Sequence, residues 1–189
     1  MDKKSVNFKK LYYGFPVILI SYYDENDVPN ITTLSSSFTL TNMICLGIGN
    51  NSYALNQIKK VKDFVVNIPD RNLMKEMDIC GYLSGNKSRK FELTGLTPVQ
   101  SSIIKAPMIK ECPISIECSL TNVTELEDFK GITTIFAAIK GRCVSTDLLD
   151  DEEHLIYSLL NPVLYVGDNA NKTYRYTEKY KSDNSGSFI

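Results

Sequence analysis

The stretch "ITTLSSSFTLTNMICLGIG", residues 31–49, decides the fold class. Residues 31–40 and 43–49 both read as strands, because β-branched and aromatic residues dominate them. Only Thr41 and Asn42 separate the two. The first run carries an oddity: Thr32, Thr33, Ser35, Ser36, Ser37 and Thr39 put small hydroxyls on both faces. A strand that covers a core needs one apolar face. A strand whose edge reads a planar polar ligand tolerates this pattern, since backbone groups bind the ring and small side chains leave room. An ordinary solvated strand face is the competing reading.

Working outward, "PVILISYY" (16–23) is a further strand, followed by the polar turn "DENDVPN". Downstream, "SYALNQIKKVKD" places Leu55, Ile58 and Val61 on one helical face and lysines on the other. "FVVNIP" (64–69) is a short strand stopped by Pro69, and Asp70 can cap a second helix, "RNLMKEMDICGYL", ending near Gly81. "CPISIECSLTNVTEL" (112–126) and "GITTIFAAIKGRCVST" (131–146) are long strands around an acidic turn. "DDEEHLIYSLL" reads as a short helix with His154 on its surface, and "PVLYVG" and "KTYRYTE" complete the ordered chain. Many strands at short spacing, with few helices between them, predict a mainly β architecture: an antiparallel β-barrel with peripheral helices. No GxGxxG follows the first strand, which argues against a Rossmann site. One domain is expected over 1–189, with an ordered core from about 12 to 180 and a polar tail at 181–189.

A chain of 189 residues with 43% hydrophobic content can bury a substantial core. Its net charge of −1 argues against sequence-independent nucleic-acid binding. There is no apolar run long enough to cross a bilayer and no secretory h-region at the start, so a cytoplasmic protein is expected. Five cysteines with no CxxC spacing suggest reduced, buried thiols rather than zinc or a disulfide framework. A single histidine excludes multi-histidine metal sites.

Two further segments could hold an anion. In "GNNSYALNQI" the first-turn amides of a helix point outward, with Asn51 and Ser52 as side-chain donors. Ser52 capping its own helix uses the same donors. In "YLSGNKSRKFELTGLTP" (82–98), Ser84, Gly85, Lys87, Arg89 and Lys90 precede a single aromatic, Phe91. Burial of the Phe91 ring fixes the backbone of Lys90, and an anchored lysine loses less freedom on binding an anion than a mobile one.

Taken in order, these segments resemble the flavin reductase–like proteins, which include the flavoredoxins. The motifs are Pro16-Val17, Asn30 with Thr33 and Ser35, Ser52-Tyr53, Phe64 to Pro69, Ser84-Gly85 with Lys90-Phe91, and Gly95 to Pro98, over about residues 12–180. The resemblance implies an FMN-binding split β-barrel of Greek-key antiparallel strands, working as a homodimer. It implies an oxidoreductase passing electrons from NAD(P)H through FMN to an acceptor, or an FMN electron carrier that exchanges electrons with a redox protein. Ser52 and Lys90 would hold the phosphate, with Asn51 and Ser84 beside them. Thr33, Leu34, Ser35, Ser36 and Ser37 would line the isoalloxazine, and Tyr165 would stand near it. No side chain is assigned a catalytic role and no metal is implied. Two positions depart from the family pattern: Arg89 stands where Asp is usual, and Ser36 where many members have Trp.

Overall fold

In a computed structural model, which describes residues 1–168, 170–177 and 185, the strands open with β1 (Leu11–Pro16), β2 (Ile18–Tyr23), β3 (Pro29–Leu34), β4 (Ser37–Leu40) and β5 (Met43–Gly49). Helix α1 (Tyr53–Val61), strand β6 (Asp63–Ile68), and helices α2 (Met74–Tyr82) and α3 (Lys90–Thr94) follow. The chain continues through β7 (Pro98–Gln100), β8 (Pro107–Ile109), β9 (Ile114–Glu125), β10 (Ile132–Val144), β11 (Val163–Asp168) and β12 (Lys172–Tyr176). Among the described residues no helix is long and apolar enough to cross a membrane. The polar tail expected at 181–189 lies, apart from Ser185, outside the described residues.

Seven strands form one antiparallel sheet in the order β3-β2-β6-β9-β10-β5-β4. The two edges of this sheet, β3 and β4, are consecutive in the chain and joined only by Ser35 and Ser36. That short link draws the edges together and makes the sheet a barrel with an open seam, as the sequence predicted. Alternation fills it: Ile18, Ile20 and Tyr22, Ile44, Leu46 and Ile48, Phe64 and Val66, and Ile135 and Ala137 all point inward. Helix α1 adds Leu55 and Ile58 to this core, while Val61 is only half-buried. A second apolar cluster lies outside the wall, where Leu19 and Ile31 meet Met77 and Cys80 of α2 and Phe91 of α3. β2 is thus buried on both faces, which explains why apolar residues occupy both sides of it.

Three elements differ from the sequence expectation. The run 16–23 is not one strand, because the chain changes sheets at Val17, whose amide donates to Val163 O at 2.8 Å. β1 pairs instead with β11 in a separate sheet of order β1-β11-β12. The run 31–40 breaks at Ser35-Ser36, as described. Residues 150–160 do not form a helix. The Asp150 carboxylate accepts the amides of Glu152 and His154 at 3.0 and 2.8 Å, Glu153 takes a left-handed φ of 62°, and only Tyr157–Leu159 makes a 3₁₀ turn. The side chain competes with the helical ladder for these amides and wins. His154 sits on this exposed turn.

A buried polar staple fixes β8 to the barrel. The Asn67 amide donates to Ser21 Oγ at 2.8 Å and to Leu19 O at 3.1 Å. Its carbonyl accepts from Ile109 N at 3.0 Å and Ser115 Oγ at 2.8 Å, and Ser21 in turn donates to Pro107 O. Asn67→Ala leaves the Ile109 amide without its acceptor in a dry site, so stability should fall by roughly 3 kcal/mol. Urea denaturation checks this; a loss below about 1 kcal/mol would mean the network relaxes around the gap.

Candidate functional site

Two cavities open beside the seam and meet at Gly81 and Tyr82, the end of α2. The first, of about 280 Å³, is lined by Thr33, Leu34, Ser35 and Ser36 on one side and by Met77, Tyr165, Tyr174 and Lys172 on the other. Its wall is rigid. Thr33 Oγ1 donates to Met77 O at 2.7 Å, pinning α2 to the seam, and a Cβ at Gly81 would approach Thr33 Cβ to 3.3 Å. Tyr165 packs edge-on against Tyr12 at a ring separation of 4.9 Å and tilts on Tyr174 at 5.9 Å. Tyr174 donates its hydroxyl to Asp78 at 2.7 Å, and burial together with that carboxylate pushes its phenol well above the usual range. Small polar residues thus face a tyrosine wall across a slot open to solvent. A flat, polar ring system fits such a slot.

The second cavity, of about 260 Å³, is lined by Asn51, Ser52, Tyr53, Ser84, Gly85, Lys90 and Tyr22. Lys90 is only 2% exposed, carried inward because its neighbour Phe91 packs in the outer apolar cluster. Its ammonium donates to Cys80 O at 2.7 Å, and among the described residues no carboxylate pairs with it. Burial lowers its pKa from the usual lysine value, and the same burial pushes the Cys80 thiol up to about 11. An ammonium has three donors, and one neutral partner leaves the others for a ligand. Ser52 occupies the N-cap position of α1, yet its hydroxyl makes no capping hydrogen bond. The two readings of Ser52 therefore separate: its side chain is free at a helix N-terminus of positive dipole. Tyr22, 1% exposed, also lines this cavity. A buried cation without a counter-ion and a free serine beside it together fit an anion such as a phosphate.

The sequence-predicted residues fall into both cavities. Thr33, Leu34, Ser35, Ser36 and Tyr165 line the first, and Asn51, Ser52, Ser84 and Lys90 the second. Ser37 lines neither, because it lies past the link on β4, in register with Leu46. Lys87 and Arg89 line an adjoining cavity rather than this one. Sequence reasoning missed Tyr22, Tyr53, Met77, Tyr82, Lys172 and Tyr174. Lys172 and Tyr174 arrive through the β11-β12 hairpin, a long-range placement with no local signature.

The model of a family described as flavin reductase like domain matches residues 11–171. An uncharacterized protein of Bacillus subtilis (strain 168), YdfE, is 28% identical over 91% of this chain and 93% of its own length. An uncharacterized protein of Archaeoglobus fulgidus is 33% identical over 68% of this chain and 73% of its own. Among solved structures, the flavoredoxin of Desulfovibrio vulgaris (Miyazaki F) superposes with a TM-score of 0.88 at 24% identity, over 100% of both chains. The FMN-binding protein of Thermus thermophilus, with bound 1-cyclohex-2-enone, gives a TM-score of 0.74 at 13% identity, over 96% and 99%. At these identities the solved structures establish the fold.

The buried ammonium has a measurable signature without any ligand. Its folded-state pKa lies below the unfolded one, so between the two the unfolded chain holds more protons, and stability rises with pH across that alkaline window. Lys90→Met removes the buried charge at similar volume. Its stability should exceed that of the unmodified protein at neutral pH, and the alkaline rise should flatten. Chemical denaturation at a series of pH values checks this, and an unaltered pH slope in the variant would show that the ammonium is well solvated.

Proposed function

The chain belongs to the flavin reductase-like family, and on that footing we propose that it is an FMN-binding oxidoreductase that draws electrons from NAD(P)H. The observation that carries this reading is the continuity of the two cavities: a slot for a flat ring joins, at Gly81 and Tyr82, a chamber holding an unpaired buried ammonium. FMN has this outline, a planar isoalloxazine linked to a phosphate dianion. Lys90, Ser52, Ser84 and Asn51 would hold the phosphate. Thr33 to Ser36 would border the ring opposite Tyr165. Bound FMN supplies the hydride and electron chemistry. The chain's own part is to bind, to orient and to exclude water from the ring's inner side. No side chain is assigned as acid, base or nucleophile, and a cytoplasmic location is part of the proposal.

A second reading, an FMN electron carrier served by a redox protein, has one observation in its favour. Tyr13 on β1 is 78% exposed, and ring contacts run from it through Phe15 and Tyr12 to Tyr165 in the cavity wall. A docked partner would thus sit a few rings from the slot. Adding NADH or NADPH to the oxidised protein without oxygen separates the two: bleaching of the flavin band supports the reductase, and an unchanged band the carrier.

We also propose a homodimer. β4 ends the seven-stranded sheet, and Phe38 and Leu40 on it are 53% and 62% exposed, an apolar edge that soluble monomers seldom leave open. Sedimentation equilibrium should give a dimer for the unmodified protein and a monomer for Phe38→Glu/Leu40→Glu. A stable monomer without the substitutions removes the dimer.

The visible spectrum of the purified protein tests the flavin itself, since a colourless protein that takes up no added FMN overturns the reading. Charge-assisted hydrogen bonds to phosphate are worth about 1.5–3 kcal/mol, so Lys90→Ala should weaken FMN about ten- to a hundredfold. Riboflavin, lacking the phosphate, should lose little affinity. Equal losses for both would show that Lys90 acts through the fold.

A further inference from the structure

A single charge enters the ring slot. Of the residues that line it, Lys172 alone carries a formal charge; the others are small hydroxyls, apolar groups and the rings of Tyr82, Tyr165 and Tyr174. The turn that brings Lys172 there is rigid. Asp168 Oδ1 accepts from Ala170 N at 2.8 Å and from Asn171 N at 2.7 Å, and Asp168 N donates to Asn171 O at 2.9 Å. Gly167 takes a φ of 140°, and a Cβ there would overlap the Asn171 carbonyl, so only glycine closes the turn. β12 then starts at Lys172, in register with Gly167. Backbone geometry, rather than a loose loop, sets the position of this lysine.

Two acidic side chains tied to the hairpin are already engaged. Asp168 holds the turn amides through its Oδ1, and Asp78 accepts the Tyr174 hydroxyl at 2.7 Å. Among the described residues Lys172 makes no ion pair. Lys59, Lys60 and Lys105 differ, since each meets a carboxylate within 2.8 Å. The slot therefore has two unlike sides. The 33–36 link, which would border the flavin ring, carries no charge, whereas the opposite side offers tyrosine rings and one ammonium. The flavin gives that ammonium no obvious partner, because the charge of FMN resides on its phosphate, assigned to Lys90 in the second cavity.

We propose that Lys172 selects a second ligand of this slot, a planar organic anion such as an aromatic or conjugated carboxylate. Its flat body lies against the tyrosine rings and its charge meets the ammonium. This rests on the flavin reading and gives the acceptor of that reaction its chemical class. Lys172 is then a specificity-determining residue, and a neutral molecule of the same shape binds the slot less well.

Benzoate and benzamide, alike in shape and unlike in charge, are the probes. Each is titrated into the oxidised, FMN-loaded full chain, and the shift of the flavin absorbance band reads binding. Benzoate should bind about fivefold more tightly than benzamide, as expected between an exposed ion pair and a sheltered charged hydrogen bond. The preference should vanish in Lys172→Met and return in Lys172→Arg. Equal binding of the two probes overturns the proposal, and so does failure of both to bind. A benzoate preference that survives Lys172→Met also overturns it, since another group would then supply the charge. So does a loss of FMN affinity in Lys172→Met as large as the loss of benzoate, which would put the lysine on the flavin itself. A chain that takes up no FMN, seen before either probe is added, removes the flavin reading and the subsite with it.

Discussion

Ser35 and Ser36 link opposite edges of the same seven-stranded sheet, and this tether governs the rest of the structure. Two residues cannot bridge a flat sheet of that width, so the sheet must curl until its edges meet. The edges touch without a continuous ladder: Gly47 N donates to Ser36 O at 2.9 Å, while β3 and β4 do not pair with one another. A fully laddered barrel would have no free backbone there to read a ligand. Small residues are needed at the crossing, because Gly47 already lies so close to Ser36 that a Cβ would stand 3.3 Å from Ser36 Cβ. A bulkier residue in place of Ser36 would project into the slot or toward solvent, so Ser36 leaves the slot wide.

Helix α2 then completes the site, for reasons that trace back to the same crossing. Thr33, two residues before the link, anchors the helix through Met77 O, and the helix ends by presenting Gly81 and Tyr82 where the cavities join. The Cys80 carbonyl, near its last turn, receives the Lys90 ammonium. The helix terminus thus offers its negative end to a cation, which partly offsets the burial of that cation. A charge set in so dry a place costs stability in the free protein, a pattern typical of ligand sites held ready by their surroundings.

Much of the barrel could be read from sequence because its strands are rich in β-branched and aromatic residues and are bounded by turn residues. "MICLGIG" and "FVVNIP" became β5 and β6 nearly residue for residue. The errors arose where a local pattern continued across a tertiary break. "PVILISYY" is polar only at Ser21 and the tyrosine hydroxyls, so nothing local marks Val17 as the point where the chain changes sheets. In 31–40 the excess of hydroxyls was visible, but its cause, a seam rather than an exposed face, depends on which strands become edges. The acidic run at 150–153 promised a helix by composition, and the Asp150 side chain captured the amides instead. At the site, Lys90 and Ser52 were legible because an anchored aromatic and a helix entry are local features. Of the tyrosine wall, Tyr165 was expected from the resemblance; Tyr174 was not, because β12 reaches the slot only by pairing with β11.

The five cysteines carry a consequence for where such a fold can work. All are unpaired; Cys80 and Cys118 sit in cores, and burial pushes their thiols up to about 11 and about 12. Cys112 is displaced further in the same direction, and Cys45 and the half-buried Cys143 are raised as well. Since the thiolate is the reactive form, each remains a small apolar filler at neutral pH. A reductant meets no cross-link to open, and an oxidant meets almost no thiolate to attack. The thiols are therefore poor targets for oxidation, a useful property in a protein whose proposed task is to pass electrons.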